Sequence, residues 1–119
     1  MLSKQEQLRD RTKAFAVRLV RMYRVLPYRG DAQVLGKQLL RCGTAVAANY
    51  RAACRARSKA EWVAKIGIVV EEADETVFWL EMLQDCDIVP AKRLTELLTE
   101  ARELTALFTA SRQTAKAVR

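Results

Sequence analysis

An all-α fold, a single antiparallel up-and-down four-helix bundle spanning residues 1–119, is the architecture this sequence predicts. Three observations point to it. Apolar residues recur at alternating steps of three and four in four successive runs. Gly and Pro together number only six, which leaves little material for loops. No run alternates apolar and polar residues as a half-buried strand would.

Helix one is expected from about Ser3 to Leu26, where Leu8, Phe15, Leu19, Met22 and Leu26 fall at steps of seven, four, three and four. Pro27 and Gly30 end it. A second stripe, Ala16, Val20 and Tyr23, widens its apolar face. Asp31 is the expected cap of helix two, whose seam is Leu35, Leu39, Cys42, Val46, Asn49 and Ala53. Asn49 interrupts that seam, and a polar residue at such a position commonly fixes register or oligomeric state. "SKAE" at 58–61 has the capping-box form, so Ser58 and Glu61 are expected to satisfy free amides at the start of helix three.

Helix three is expected from Lys59 to Cys86 along Trp62, Ile66, Val69, Ala73, Thr76, Leu80 and Leu83. Val63, Val70 and Val77 lie beside this seam, and such breadth implies a thick core or a subunit interface. Pro90 suits the first turn of helix four. There Leu94, Leu97, Ala101, Leu104 and Phe108 keep the same rhythm.

Composition excludes several chemistries. The chain has no His and three widely spaced Cys, Cys42, Cys54 and Cys86, without a CxxC pair. Zinc sites, Glu-x-x-His di-iron sites and imidazole-activated nucleophiles are therefore not expected, and no catalytic residue, metal or cofactor is assigned. The carboxylates Glu71, Glu72, Asp74 and Glu75 precede Trp79 on helix three. Acid–base or metal chemistry would need a second acidic cluster, which helices one and two do not supply. Glu72 and Glu75 are instead expected to meet arginines from helices one and two, with Trp79 closing the packing and Asn49 completing a structural polar cluster.

Charge is divided unevenly along the chain. Residues 1–60 carry 14 Lys or Arg against 3 Asp or Glu, and residues 61–119 carry 7 against 11. Even complete internal pairing leaves the net +7 unmatched, which favours a polyanionic partner. The candidate contacts are Lys37, Arg41, Arg51 and Arg55 along one flank of helix two, Arg11, Arg18 and Arg21 on helix one, and Arg57. The eight aromatic residues form no base-stacking group, so a sequence-independent contact to an RNA or DNA backbone is expected. A protein-interaction scaffold, with the charges serving assembly, is the alternative. The polar N-terminus "MLSKQEQLRDR" is unlike a signal peptide, and no 18-residue apolar run exists, so a cytoplasmic location is expected.

"RCGTAVAANYRAACRARSKAEWVAKI" and "VVEEADETVFWLEML" together resemble the four-helix bundle proteins of the S23 ribosomal, or 23S rRNA intervening-sequence, family. The resemblance is strong over residues 41–83 and rests on helix layout elsewhere. It includes Gly43-Thr44, Asn49-Tyr50-Arg51, Ser58, Lys65, the run Glu72 to Thr76, and Trp79-Leu80. Ala45 stands where a serine is usual and Ala52 where a glutamate is usual, which reduces any polar cluster between helices two and three. The resemblance implies a left-handed bundle assembling as a ring, a homopentamer, with a basic surface and no enzymatic activity. More distantly similar are accessory proteins of diversity-generating retroelements, which implies nucleic acid and a reverse transcriptase as partner classes.

Overall fold

A computed structural model describes residues 1–118 as four helices, with no strand among them. These are α1 (Lys4–Arg24), α2 (Gly30–Ala53), α3 (Lys59–Asp85) and α4 (Ala91–Ala117). Five residues join each helix to the next. A 27-residue helix is about 40 Å long, so the 49 Å long axis of the molecule means that the helices share one direction. α2 packs most extensively on α3, α3 on α4 and α1 on α2, whereas the α1 and α4 backbones approach each other only sparsely.

Local chemistry sets the helix ends. The Ser3 hydroxyl accepts from the Glu6 amide at 3.1 Å, and the Glu6 carboxylate accepts from the Ser3 amide at 3.4 Å, a complete capping box that the sequence reading overlooked. Ser58 accepts from the Glu61 amide at 3.1 Å, but the Glu61 carboxylate turns to Arg57, so this second box is half formed. Asp31 does not cap α2. It lies within the first turn, accepts from its neighbour Ala32 at 2.8 Å and faces Arg29, because the helix starts two residues before it would if Asp31 were the cap. Pro90 is the residue just before α4, where its fixed φ suits helix entry.

α3 closes with Asp87 in the left-handed conformation at φ 57°. The Ile88 amide donates to the Leu83 carbonyl at 3.0 Å and the Asp87 amide to that of Gln84 at 3.0 Å, the two bonds of a Schellman motif. A short polar side chain tolerates this backbone better than a bulky or β-branched one.

The core follows the expected seams on α3 and α4: Ile66, Val69, Ala73, Thr76, Leu80 and Leu83 are buried, as are Leu94, Leu97, Ala101, Leu104 and Phe108. On α2 the seam passes through Tyr50 rather than Asn49. The Tyr50 ring lies 4.9 Å from that of Phe108 and 6.3 Å, edge to face, from that of Trp62, so one aromatic side chain ties α2 to both α3 and α4. Burial, with Cys54 beside it, pushes the Tyr50 phenol above its ordinary range. The second stripes are half-buried at Val20, Tyr23, Val63, Val70 and Val77. Gly36 and Gly43 let α1 come close, since a β-carbon there would collide with Leu26 and Tyr23 in one case and Leu19 in the other.

Candidate functional site

The basic residues separate into those satisfied inside the bundle and those left free. On α4, Glu96, Glu100 and Glu103 recur at steps of four and three and face α1. Arg11 forks onto this stripe: Nε donates to Glu100 Oε2 at 2.8 Å, and Nη2 donates to Glu100 Oε1 at 2.5 Å and Glu103 Oε2 at 2.6 Å. Arg18 lies 3.8 Å from the almost fully exposed Glu96, a weaker contact. Arg11 and Arg18 thus meet α4, not the α3 carboxylates as expected, and Arg21 meets neither among the described residues. The stripe at 96, 100 and 103 was the available signal.

Bidentate bonding to a half-buried carboxylate favours both charged forms. Its hydrogen bond to Glu100 raises Arg11 above its ordinary range, and the same bond holds the Glu100 carboxyl below its own. Arg11→Ala is expected to cost about 1–2 kcal/mol, between the values for exposed and buried pairs. Acid should act in the same direction. Because the Glu100 carboxyl is lowered in the folded state, its contribution is complete above the ordinary Glu value of about 4.3. That contribution is lost as pH falls through the lower folded value. Chemical denaturation across this window checks both effects, and an Arg11→Ala protein with unchanged unfolding free energy contradicts the pairing.

The α3 carboxylates meet Arg41 of α2. Arg41 Nη2 donates to Glu75 Oε1 at 2.7 Å, and Nη1 lies 3.6 Å from Glu72 Oε2. Trp79 Nε1 donates to the same Glu75 oxygen at 3.2 Å. Glu72, Glu75, Trp79 and Arg41 therefore form one cluster. Asn49 stands apart from it, its amide donating to the Ala45 carbonyl at 2.8 Å within its own helix. Glu71 and Asp74 point outward and make no ion pair among the described residues. Nor do three or more Cys, Asp or Glu among those residues gather as a metal site would require. Burial pushes the Cys42 thiol up, the condition of an inert core cysteine.

Four of the cations without an ion pair among the described residues meet between α1 and α2. A groove of about 590 Å³ opens there, with Arg9 and Lys13 of α1 on one side, and on the other Arg51 and Arg55 preceded along α2 by Thr44, Ala47 and Ala48. Leu2, Glu6 and Asp10 complete it. None of the four cations forms an ion pair among the described residues. Each wall repeats its cation after four residues, about 6 Å along the helix. A shallower depression adjoins through Asp10 and Lys13 and carries Arg18 and Arg21.

The geometry therefore selects among the residues expected from sequence. Arg51 and Arg55 are brought together with Arg9 and Lys13, which the sequence reading missed, although their spacing of four matches that of Arg51 and Arg55. Arg21 lies beside the groove. Arg11 and Arg41 are held in internal pairs, and exposed Arg57 is 3.9 Å from Glu61. Lys37 lies about 21 Å from Arg51 along α2.

Comparison with known proteins agrees with this architecture. The family model of the 23S rRNA-intervening sequence protein matches residues 4–110. A protein of unknown function from the S23 ribosomal protein family of Bacteroides thetaiotaomicron has a crystal structure similar to this one, with a TM-score of 0.85 and 32% identity. The alignment covers 93% of this chain and 99% of that one. No curated protein matches. With nearly its whole helical length matched, the chain belongs to the 23S rRNA-intervening sequence protein family.

Proposed function

We propose that the protein is a non-catalytic, basic accessory module that self-assembles and binds the phosphate backbone of nucleic acid through the α1–α2 groove. The observation that carries this reading is the concentration of Arg9, Lys13, Arg51 and Arg55 around one recess without internal partners, in a bundle whose other arginines include several held by carboxylates. The groove lining contains no aromatic side chain, so the contact is to phosphate rather than to stacked bases. The helices run up and down antiparallel, which the short connections favour. Exposed Val34, Ile68 and Phe78 supply apolar surface for assembly into a ring of five copies.

Binding of a labelled single-stranded oligonucleotide across a salt series tests this function. Four phosphate contacts to a single strand give a slope of about −2.8 in log affinity against log salt, so affinity should fall about 50-fold from about 50 to 200 mM. Absence of binding at the lowest salt, or a flat salt response, contradicts the proposal. Light scattering should report five times the 13.5 kDa chain mass, and a monomer contradicts the assembly.

A further inference from the structure

We infer that the α1–α2 groove is selective for single-stranded RNA over DNA, with Asp10 accepting a hydrogen bond from a ribose 2′-hydroxyl. This inference rests on the proposed function and adds to it the identity of the sugar. Its starting point is a carboxylate that a pure phosphate site would not contain. Asp10 lines the groove beside Lys13 and also lines the adjoining depression, so it sits where the two recesses meet. It is exposed and makes neither a hydrogen bond nor an ion pair with any described side chain.

The other neutral and acidic side chains of the groove that carry polar atoms, Glu6 and Thr44, are partly engaged. Glu6 accepts from the Ser3 amide in the capping box. The Thr44 hydroxyl donates to the Leu40 carbonyl at 2.7 Å and can offer a ligand only its lone pairs. Asp10 is thus the groove carboxylate with both oxygens free to accept from an incoming donor, whereas one Glu6 oxygen is taken by the capping box. Phosphate diesters carry no donor, and a carboxylate among them is repulsive. A ribose supplies the missing group, because its 2′-hydroxyl donates and is the atom by which RNA differs from DNA. A strand following the groove would place phosphates on the Arg51–Arg55 and Arg9–Lys13 walls, with intervening sugars near Asp10. Ala47 and Ala48 offer a base edge no hydrogen-bonding group, and the lining has no Asn or Gln, so the selectivity is assigned to the sugar.

The recess also favours a single strand. Duplex phosphates lie on a convex surface and cannot descend between two helix walls, whereas an unpaired strand can follow a basic channel.

Matched oligouridine and oligodeoxyuridine of one length, which differ only at the 2′ position, test the inference on the intact protein. Fluorescence anisotropy at low salt should show about tenfold tighter binding of the RNA, the value of one hydrogen bond to a charged acceptor. Asp10→Ala should bring the RNA-to-DNA ratio close to one, chiefly by tightening DNA binding as the repulsion is removed. Asp10→Asn, which keeps an acceptor oxygen, should retain part of the ratio. Equal wild-type affinities overturn the inference and leave the groove reading standing, provided that reversing Arg51 and Arg55 still removes binding. A ratio unchanged in Asp10→Ala, or duplex RNA binding more tightly than the single strand, also overturns it. If neither oligonucleotide binds, both readings fall.

Discussion

Replacing Arg51 and Arg55 together by Glu is expected to weaken single-stranded RNA binding by at least about 25-fold at about 0.1 M salt, the contribution of two phosphate contacts. The new negative charges add to that loss. The salt slope should fall by about 1.4, since each single-strand contact contributes about 0.7. Folding should be unaffected, because both side chains are exposed and neither makes an ion pair among the described residues. Lys37→Glu is the matching control. It lies on the same helix about 21 Å away, about two Debye lengths at 0.1 M salt, and should leave affinity within about twofold. Binding curves for the two variants, with melting temperature and mass measured in parallel, separate a groove contact from a general effect of net charge. Because the double variant changes the charge twice as much, a Lys37→Glu loss about half as large on a logarithmic scale would mean that charge alone, not the groove, controls binding.

Phe108→Ala is expected to lower the unfolding free energy by about 3–5 kcal/mol. Phe108 is 0% exposed and its ring meets Tyr50 at 4.9 Å. The loss therefore combines transfer of a large side chain to water with a cavity between α2 and α4. The helices around that cavity cannot close it freely, because Tyr50 is also held edge to face by Trp62. Tyr28→Ala should cost far less, since Tyr28 is 98% exposed and lies outside the core. Urea denaturation of both variants checks the contrast. Similar costs would place the aromatic core elsewhere.

Legibility of the sequence varied with the kind of information each element needed. The seams of α3 and α4 were readable because their buried side chains are nearly all apolar and hold one rhythm. On α2 the same rhythm fitted Asn49 and left out its neighbour Tyr50. A step of 3.5 residues drifts against the true helical period of 3.6, and only the facing aromatics Trp62 and Phe108 resolve which neighbour turns inward. The fate of the arginines was less legible. Arg11 could be assigned to Glu100 only once α4 was known to return beside α1. Matched spacing pointed to arginines of the first two helices as partners of Glu72 and Glu75, without saying which, and Arg41 of α2 is the one found there.

The groove depends on backbone separation, which periodicity does not express. Gly36 and Gly43 allow α1 and α2 to approach near the connection that joins them. Beyond Gly43, the groove opens where α2 presents Thr44, Ala47 and Ala48. Small residues and a pair of cations on each helix were visible in the sequence. Their convergence on one recess was not.

The central claim is that the unpaired cations of this groove, and not the basic surface at large, hold nucleic acid. Lysine acetylation footprinting by mass spectrometry, with and without single-stranded RNA, tests it most directly, because Lys13 is the one lysine lining the groove. RNA should protect Lys13 while Lys37 and Lys92 remain as reactive as in the free protein. Protection of Lys37 or Lys92 with Lys13 unchanged would contradict it.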